Sequence, residues 1–357
     1  MSQLFWQNKK VLITGHTGFK GSWLSLWLHS MGAHVVGYSL PTSINTLLFN
    51  LSNLEKNIKS YAANICDLPF LQQVIEKEQP EIVFHLAAQA LVHYSYDNPL
   101  ETYATNVMGT INLLETLRQT KCARAIVIIS SDKCYDNREW VWGYRETEPM
   151  GGYDPYSSSK GCVELITNAY RKSFFEGQQS HIASARAGNV IGGGDFAADR
   201  LIPDFMRAMM EDRPIKVRSP KATRPWQHVL EPLSGYLLLA KQLWAEGQQF
   251  AEGWNFGPED QGAKPVEYVI HHLTQLWGKK ARWELDKTTH VHEAHYLKLD
   301  TSKARLKLRW SPRWSLEVAL HHTVEWYKAF MEKSDIRTIM LQQMNEYEKS
   351  QPLQEIN

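Results

Sequence analysis

Three glycines at fixed spacing, directly after an apolar run, constrain this chain more than any other feature. Lys10-Val11-Leu12-Ile13-Thr14 reads as a strand, and Gly15-His16-Thr17-Gly18-Phe19-Lys20-Gly21 follows it. A helical pattern comes next, from Ser22 to about Met31; Leu24, Leu28 and Met31 recur at helical spacing, and Gly32 is placed to end it. A strand that turns through glycines into a helix is a phosphate seat. Gly15 permits the tight turn, Gly18 removes a side chain where a pyrophosphate approaches the backbone, and Gly21 lets helix and strand pack closely. The helix N-terminus then offers free N–H groups and a positive dipole end to the anion. His16, Thr17 and Phe19 lie inside the same turn.

The order of elements extends this reading. Ala33–Tyr38, Ile82–Leu86 and Ala125–Ser131 are further strand-like runs, with helical patterns between them such as Thr102 to Arg118. Strands that are apolar on both faces and separated by helices predict an α/β fold, a Rossmann-type doubly wound parallel sheet covered on both sides. After about residue 185 the texture changes. Gly188 and Gly192-Gly193-Gly194 mark loops, and short strands such as Ile215-Lys216-Val217-Arg218 mix with helices. The expected organisation is a dinucleotide-binding domain over 1–185 with a returning segment near 225–260. A smaller C-terminal substrate-binding domain covers mainly 186–330, and a polar helix or loose tail covers 331–357.

Composition narrows the class of partner. The chain has 39 basic and 38 acidic residues, so it carries no broad field to attract nucleic acid or anionic lipid. No stretch approaches the roughly 20 apolar residues that span a bilayer. Cys66, Cys122, Cys134 and Cys162 form neither a metal-ligand pattern nor a disulfide framework, and no metal is assigned. Reduced thiols and an N-terminus without a signal-peptide pattern point to the cytoplasm. Most of the 13 tryptophans are expected in packing.

A second motif carries chemistry. Tyr156 and Lys160 in Tyr156-Ser157-Ser158-Ser159-Lys160 are four apart and face the same way on a helix. A free phenol, with a pKa of about 10, is too weakly acidic to serve as a base at neutral pH. A neighbouring ammonium and a cationic nicotinamide ring would stabilise its phenolate. Ser130-Ser131-Asp132-Lys133 ends the preceding strand, where open parallel sheets place their chemistry. Ser131 is placed to bond a reacting hydroxyl, and Asp132 and Lys133 set an acid beside an amine.

Tyr38-Ser39-Leu40-Pro41-Thr42, after the second strand, has neither the carboxylate usual for NAD nor a cation for the 2′-phosphate of NADP. The missing cation is the greater lack, so the cofactor reads as NAD. Asn64, Ile65 and Asp67 follow a third strand. Asp67 either holds the adenine edge or caps a helix before Leu68-Pro69.

These motifs resemble the extended short-chain dehydrogenase/reductase family, and within it the nucleotide-sugar 4,6-dehydratases. The resemblance rests on Gly15 to Gly21, Leu86-Ala87-Ala88-Gln89, Ser131-Asp132-Lys133 and Tyr156 to Lys160, and runs from about Phe5 to Tyr327. It implies that Leu86, Ala87, Ala88 and Gln89 pass under the cofactor with Asn106 bracing that loop, although the alanines serve tight packing equally well. It also implies that Asn189, Arg200 with Leu201, and Arg224 hold a sugar nucleotide, Arg224 on the diphosphate. Dehydratases acting on dTDP-sugars carry Thr-Asp-Glu where this chain has Ser131-Asp132-Lys133, so Lys133 points to the CDP-sugar branch.

The implied reaction begins with Tyr156 taking the C4 hydroxyl proton as hydride leaves C4 for NAD. Lys133 or a neighbour then removes the C5 proton, Asp132 protonates the departing C6 hydroxyl, and the hydride returns to C6. A homodimer or dimer of dimers is expected, with a role in deoxysugar supply for O-antigen. The competing readings are a 4-epimerase or another dehydratase of the same fold, and a dinucleotide sensor without catalysis.

Overall fold

The computed structural model describes residues 3–41, 47–278, 281–286 and 296–353 of the chain; Thr42 and the last four residues, which the sequence reading included, lie outside them. Six strands follow in order: β1 (Lys10–Thr14), β2 (His34–Ser39), β3 (Lys59–Ala62), β4 (Ile82–His85), β5 (Ala125–Ile129) and β6 (His181–Ala187). Together with the returning strand Gly253–Phe256 they form a seven-stranded sheet in the order Gly253–Phe256, β6, β5, β4, β1, β2, β3. Every pairing in it is parallel. This is the doubly wound α/β fold that the alternation of strand and helix predicts. Chain order reverses between β1 and β4, where Val11 stands opposite Ile82 and Thr14 opposite His85. A crevice opens at such a switch point, outside the carboxyl ends of the strands.

The apolar-on-both-faces pattern has a direct cause. Val11 and Ile13 of β1 point into one core, with Phe84, Val127 and Trp23. Leu12 points into the other, with Val83, Ile126 and Leu113. Strands covered on both sides have no solvent face on which a polar residue is tolerated. Tryptophan is used mainly as filling, for Trp6, Trp23, Trp27, Trp254 and Trp326 are all fully buried.

Two helix boundaries differ from expectation. The helix after the glycine turn runs Phe19–Ser30, starting three residues before Ser22, because Gly18 already serves as its N-cap in extended conformation. Thr102 to Arg118 is a helical path in pieces: Pro99–Tyr103, a π-helical turn Ala104–Met108, then Gly109–Thr120. A π turn adds a residue to the turn and re-aims a side chain; here it carries Asn106.

Of the two alternatives for 331–357, a helix or a loose tail, the described residues show the helix. This helix, Ile336–Lys349, buries Ile336, Met340, Gln343, Met344 and Tyr347. Trp27 Nε1 donates to Glu348 Oε1 at 2.8 Å, so this helix is fastened to helix Phe19–Ser30.

Candidate active site

A cleft of about 1050 Å³ runs along the carboxyl ends of the strands. One end is the glycine turn. Gly15 has φ +72°, and a Cβ on it would stand 2.7 Å from Ala87 N at the end of β4; a Cβ on Gly21 would stand 2.1 Å from Gly15 O. Both positions therefore exclude side chains. At Gly18 a Cβ meets only Gly15 O, at 3.4 Å, and the helix that starts there has no side-chain cap. Its first-turn N–H groups remain available to an anion in the cleft. Thr17 Oγ1 bonds Ser39 Oγ at 2.8 Å, fixing the turn to β2. His16 lies behind, bonded to Ser60 Oγ at 2.7 Å; burial pushes its imidazole down to about 4, so it is neutral and structural.

Gly15, Thr17, Gly18, Phe19, Gly21, Asn64, Ile65, Leu86, Ala87 and Ala88 all line the cleft. The residues present fit a dinucleotide that lacks a 2′-phosphate: the lining segment Tyr38–Pro41 contains no cation. Asp67 is one exception among the sequence candidates. It does not line the cleft; its carboxylate accepts from Phe70 N–H at 3.2 Å as the N-cap of helix Leu68–Glu78. The helix-cap alternative therefore describes it. Asp67→Ala is expected to lower stability by about 1 kcal/mol while leaving cofactor affinity within about twofold of the parent, as read by denaturant unfolding and NAD titration.

Gln89 and Asn106 also stand outside the lining, one layer back. Asn106 accepts from Gln89 N at 2.8 Å and donates to Gln89 O at 3.0 Å and to Ser159 Oγ at 2.8 Å. Ser159 in turn donates to Tyr156 O at 2.7 Å. Asn106 thus ties the loop under the cleft to the helix that carries the tyrosine.

That helix, Pro155–Tyr170, starts at Asp154, whose carboxylate accepts from Ser157 N at 2.9 Å. Tyr156 and Lys160 emerge on one buried face of it and both reach the cleft. Lys160 Nζ donates to Ile129 O, the last residue of β5, at 3.4 Å. Immediately beyond β5 a short turn presents Ser131, Asp132 and Lys133 to the same space. Ser131 Oγ donates to Asp132 Oδ1 at 2.9 Å and accepts from Lys133 N at 3.2 Å. Asp132 Oδ2 is buried without a hydrogen-bond partner among the described residues.

The electrostatics refine the sequence expectation for the pair. Burial pushes the Tyr156 phenol up to about 12; a hydrogen bond from Ser131 and the Arg200 guanidinium hold it back. Burial pushes the Lys160 ammonium down to about 8, with Glu164 one turn along offsetting part of this. In the chain itself Lys160 therefore gives up its proton before the phenol titrates, and the pair is poised to respond to an added cation rather than already ionised. Burial raises the Asp132 carboxyl above the usual carboxylate range, against the pull of Lys133, Ser131 and Arg224.

The opposite wall carries the arginines. Arg200 bonds Asp195 Oδ2 at 3.0 Å and reaches Ala90 O at 3.2 Å. Arg224 is buried and donates to Thr223 O at 3.0 Å; Asn189 and Leu201 line the cleft beside them. The sequence reading passed over Lys20, which also lines the cleft and is pushed down to about 7, first by burial and then by Lys160 and Arg200. The available signal was a cation between Phe19 and Gly21 in an otherwise apolar motif. It also took Arg218 for part of a strand, whereas Arg218 contacts His93 Nε2 at 2.8 Å across the cleft.

A parallel sheet with a glycine turn at its switch point, and a tyrosine–lysine pair facing that turn, defines a dinucleotide-dependent class of enzyme fold. A family profile described as GDP-mannose 4,6 dehydratase matches residues 12–323, and the chain belongs to that family. Among individual proteins, it is 54% identical to the CDP-glucose 4,6-dehydratase of Salmonella typhimurium, over 96% of this chain and 97% of that one. Solved structures share the fold. The UDP-glucose 4-epimerase of Thermotoga maritima superposes with a TM-score of 0.77 at 24% identity, covering 90% of this chain and 99% of that one. The dTDP-glucose 4,6-dehydratase of Bacillus anthracis, in complex with NAD, gives 0.77 at 22% identity, covering 92% and 99%.

Proposed function

We propose that this chain dehydrates CDP-D-glucose to CDP-4-dehydro-6-deoxy-D-glucose with NAD as a regenerated cofactor. The observation that carries the reading is the Ser131-Asp132-Lys133 turn set beside Tyr156 and Lys160 on one cleft, beyond a glycine turn. The 54% identity to a CDP-glucose 4,6-dehydratase supports the choice of nucleotide sugar.

Bound NAD supplies the site that accepts a hydride from C4 of the sugar and later returns it to C6. Gly15, Gly18 and the helix N-terminus would hold its pyrophosphate, and Asn64, Ile65 and Leu86 to Ala88, which line the cleft, would wall it in. Tyr156 takes the C4 hydroxyl proton, with Ser131 holding that hydroxyl and Lys160 stabilising the phenolate. Oxidation at C4 acidifies the C5 proton, and we assign its removal to Lys133 or a neighbouring group. Asp132, whose carboxyl burial makes a weaker acid, is assigned as the group that gives a proton to the C6 hydroxyl as water leaves. Arg224 and Arg200, with Asn189 and Leu201, hold the substrate nucleotide; a guanidinium fork suits a diphosphate.

In this reading residues 1–185 with the return near 225–260 hold the cofactor, and 186–330 hold the nucleotide sugar. The enzyme works in the cytoplasm as a homodimer or dimer of dimers, supplying deoxysugar for surface polysaccharide. Exposed Leu100, Met108 and Leu165 support pairing with a second copy. Incubation of the chain with CDP-glucose and NAD, followed by mass spectrometry, is expected to show loss of one water and, in deuterated solvent, label at C5. Turnover with unchanged mass would make it an epimerase, and no turnover would leave the sensor reading.

A further inference from the structure

In the proposed reading the cleft seats two nucleotides, and its walls divide by residue type. The glycine turn with Tyr38–Pro41 and Ala63–Ile65 makes one end, and the Tyr156 cluster makes the middle. The wall left for the substrate's own nucleotide is built from Arg200–Asp204, at the start of helix Leu201–Met210, and from strand Ile215–Val217 with Arg218. The arginines are suited to the diphosphate. Beside them Leu201, Pro203 and Val217 present apolar surface on which a planar base can lie.

Three carboxylates border this wall, and two are turned to arginines of the cleft. Asp195 Oδ2 accepts from Arg200 at 3.0 Å, and Asp199 Oδ1 stands 3.6 Å from Arg218. Asp204 differs. Its Oδ1 is held by Arg207 one turn along its own helix, while Oδ2 makes no hydrogen bond to any described residue. Its side chain keeps 35% of its exposure, and the residue lines the cleft. A carboxylate at the edge of an apolar slot accepts from an amine and repels a carbonyl oxygen. Cytosine presents an exocyclic amine where uracil and thymine present a carbonyl.

We propose that Asp204 selects the base of the substrate nucleotide, its free carboxylate oxygen accepting from the exocyclic amine of an aminopyrimidine. The assignment rests on the nucleotide-sugar reading above and adds the residue that would set its specificity.

The test is calorimetric titration of the full chain with CDP and with UDP, for the parent, Asp204→Asn and Arg207→Gln. The parent is expected to bind CDP about tenfold or more tighter than UDP. Asp204→Asn is expected to close that gap, since an amide can donate to a carbonyl. Arg207→Gln removes the ion pair but keeps the carboxylate, and is expected to retain the preference. Equal binding of CDP and UDP by the parent overturns the proposal without any variant. So does an unchanged preference in Asp204→Asn, or a loss in Arg207→Gln as large as that in Asp204→Asn. Turnover of CDP-glucose by the parent, measured alongside, separates the two levels: an active enzyme with no discrimination at Asp204 overturns this inference alone.

Discussion

Tyr156→Phe is expected to lower kcat on CDP-glucose by about 10²–10⁴-fold, the range by which a positioned proton-transfer group accelerates such a step. The ring stays, so the packing of the buried side chain is kept. Only the phenolic oxygen is lost, and with it the proton acceptor for C4 oxidation. Stability is expected to move by about 1 kcal/mol or less, the net worth of one hydrogen bond. NAD affinity should change little, because Gly15, Gly18 and Asn64 are untouched. The pH profile gives a second reading. Lys160 is protonated below about 8 in the folded chain. If its charge stabilises the phenolate, kcat/KM falls as pH rises through that value, and Lys160→Met removes that limb along with most of the activity. Undiminished turnover in Tyr156→Phe would sink the assignment.

What the sequence disclosed was what local spacing controls. The glycine turn is legible because strand, glycines and helix are contiguous, and Tyr156 and Lys160 because four residues make one helical turn. The glycine turn also falls at a strand end, and the pair reaches the same cleft from helix Pro155–Tyr170. Asp67 stayed ambiguous because a helix cap and a ligand-binding carboxylate look alike in sequence. Asn106 was placed near the correct loop, but the π turn that aims it at Gln89 has no local signature. The opposite wall was the least legible part. Arg200 reaches Ala90 and Arg218 reaches His93 only through the folded sheet, across separations of 110 and 125 residues. Position 204 carries no motif; its candidacy depends on which of its two oxygens Arg207 leaves open. Composition left helix and tail both open for the C-terminal segment, since its polar residues conceal a stripe of Ile336, Met340, Gln343, Met344 and Tyr347 at helical spacing.

That stripe leads to the second large effect, expected at Glu231, far from any catalytic motif. Glu231 lies fully buried near the start of helix Leu230–Glu246. Its Oε1 accepts from Arg313 N at 2.9 Å and Trp314 N at 2.7 Å, and its Oε2 from the Tyr347 hydroxyl at 2.6 Å. One carboxylate therefore fastens the chain around Trp314 and the C-terminal helix to the body of the protein. Glu231→Ala takes the acceptor from the N–H groups of Arg313 and Trp314, leaves the Tyr347 hydroxyl with Ser234 Oγ alone, and is expected to cost roughly 3–5 kcal/mol. Glu231→Gln keeps an acceptor for the two backbone N–H groups and should cost far less. The pH dependence separates charge from connectivity. Burial pushes the Glu231 carboxyl up to about 7, partly offset by Tyr347, the two backbone N–H groups and the Arg313 charge. A carboxyl whose folded pKa lies above its unfolded value of about 4.3 binds its proton more tightly in the native state. Its contribution to stability is therefore full below that unfolded value and is lost as pH rises through about 7. The parent should lose this stabilisation between pH 5 and pH 8, and Glu231→Gln should not. Denaturant midpoints at the two pH values, for the parent and both variants, decide the matter. A Glu231→Ala protein as stable as the parent would mean that the C-terminal helix is held by its apolar stripe alone.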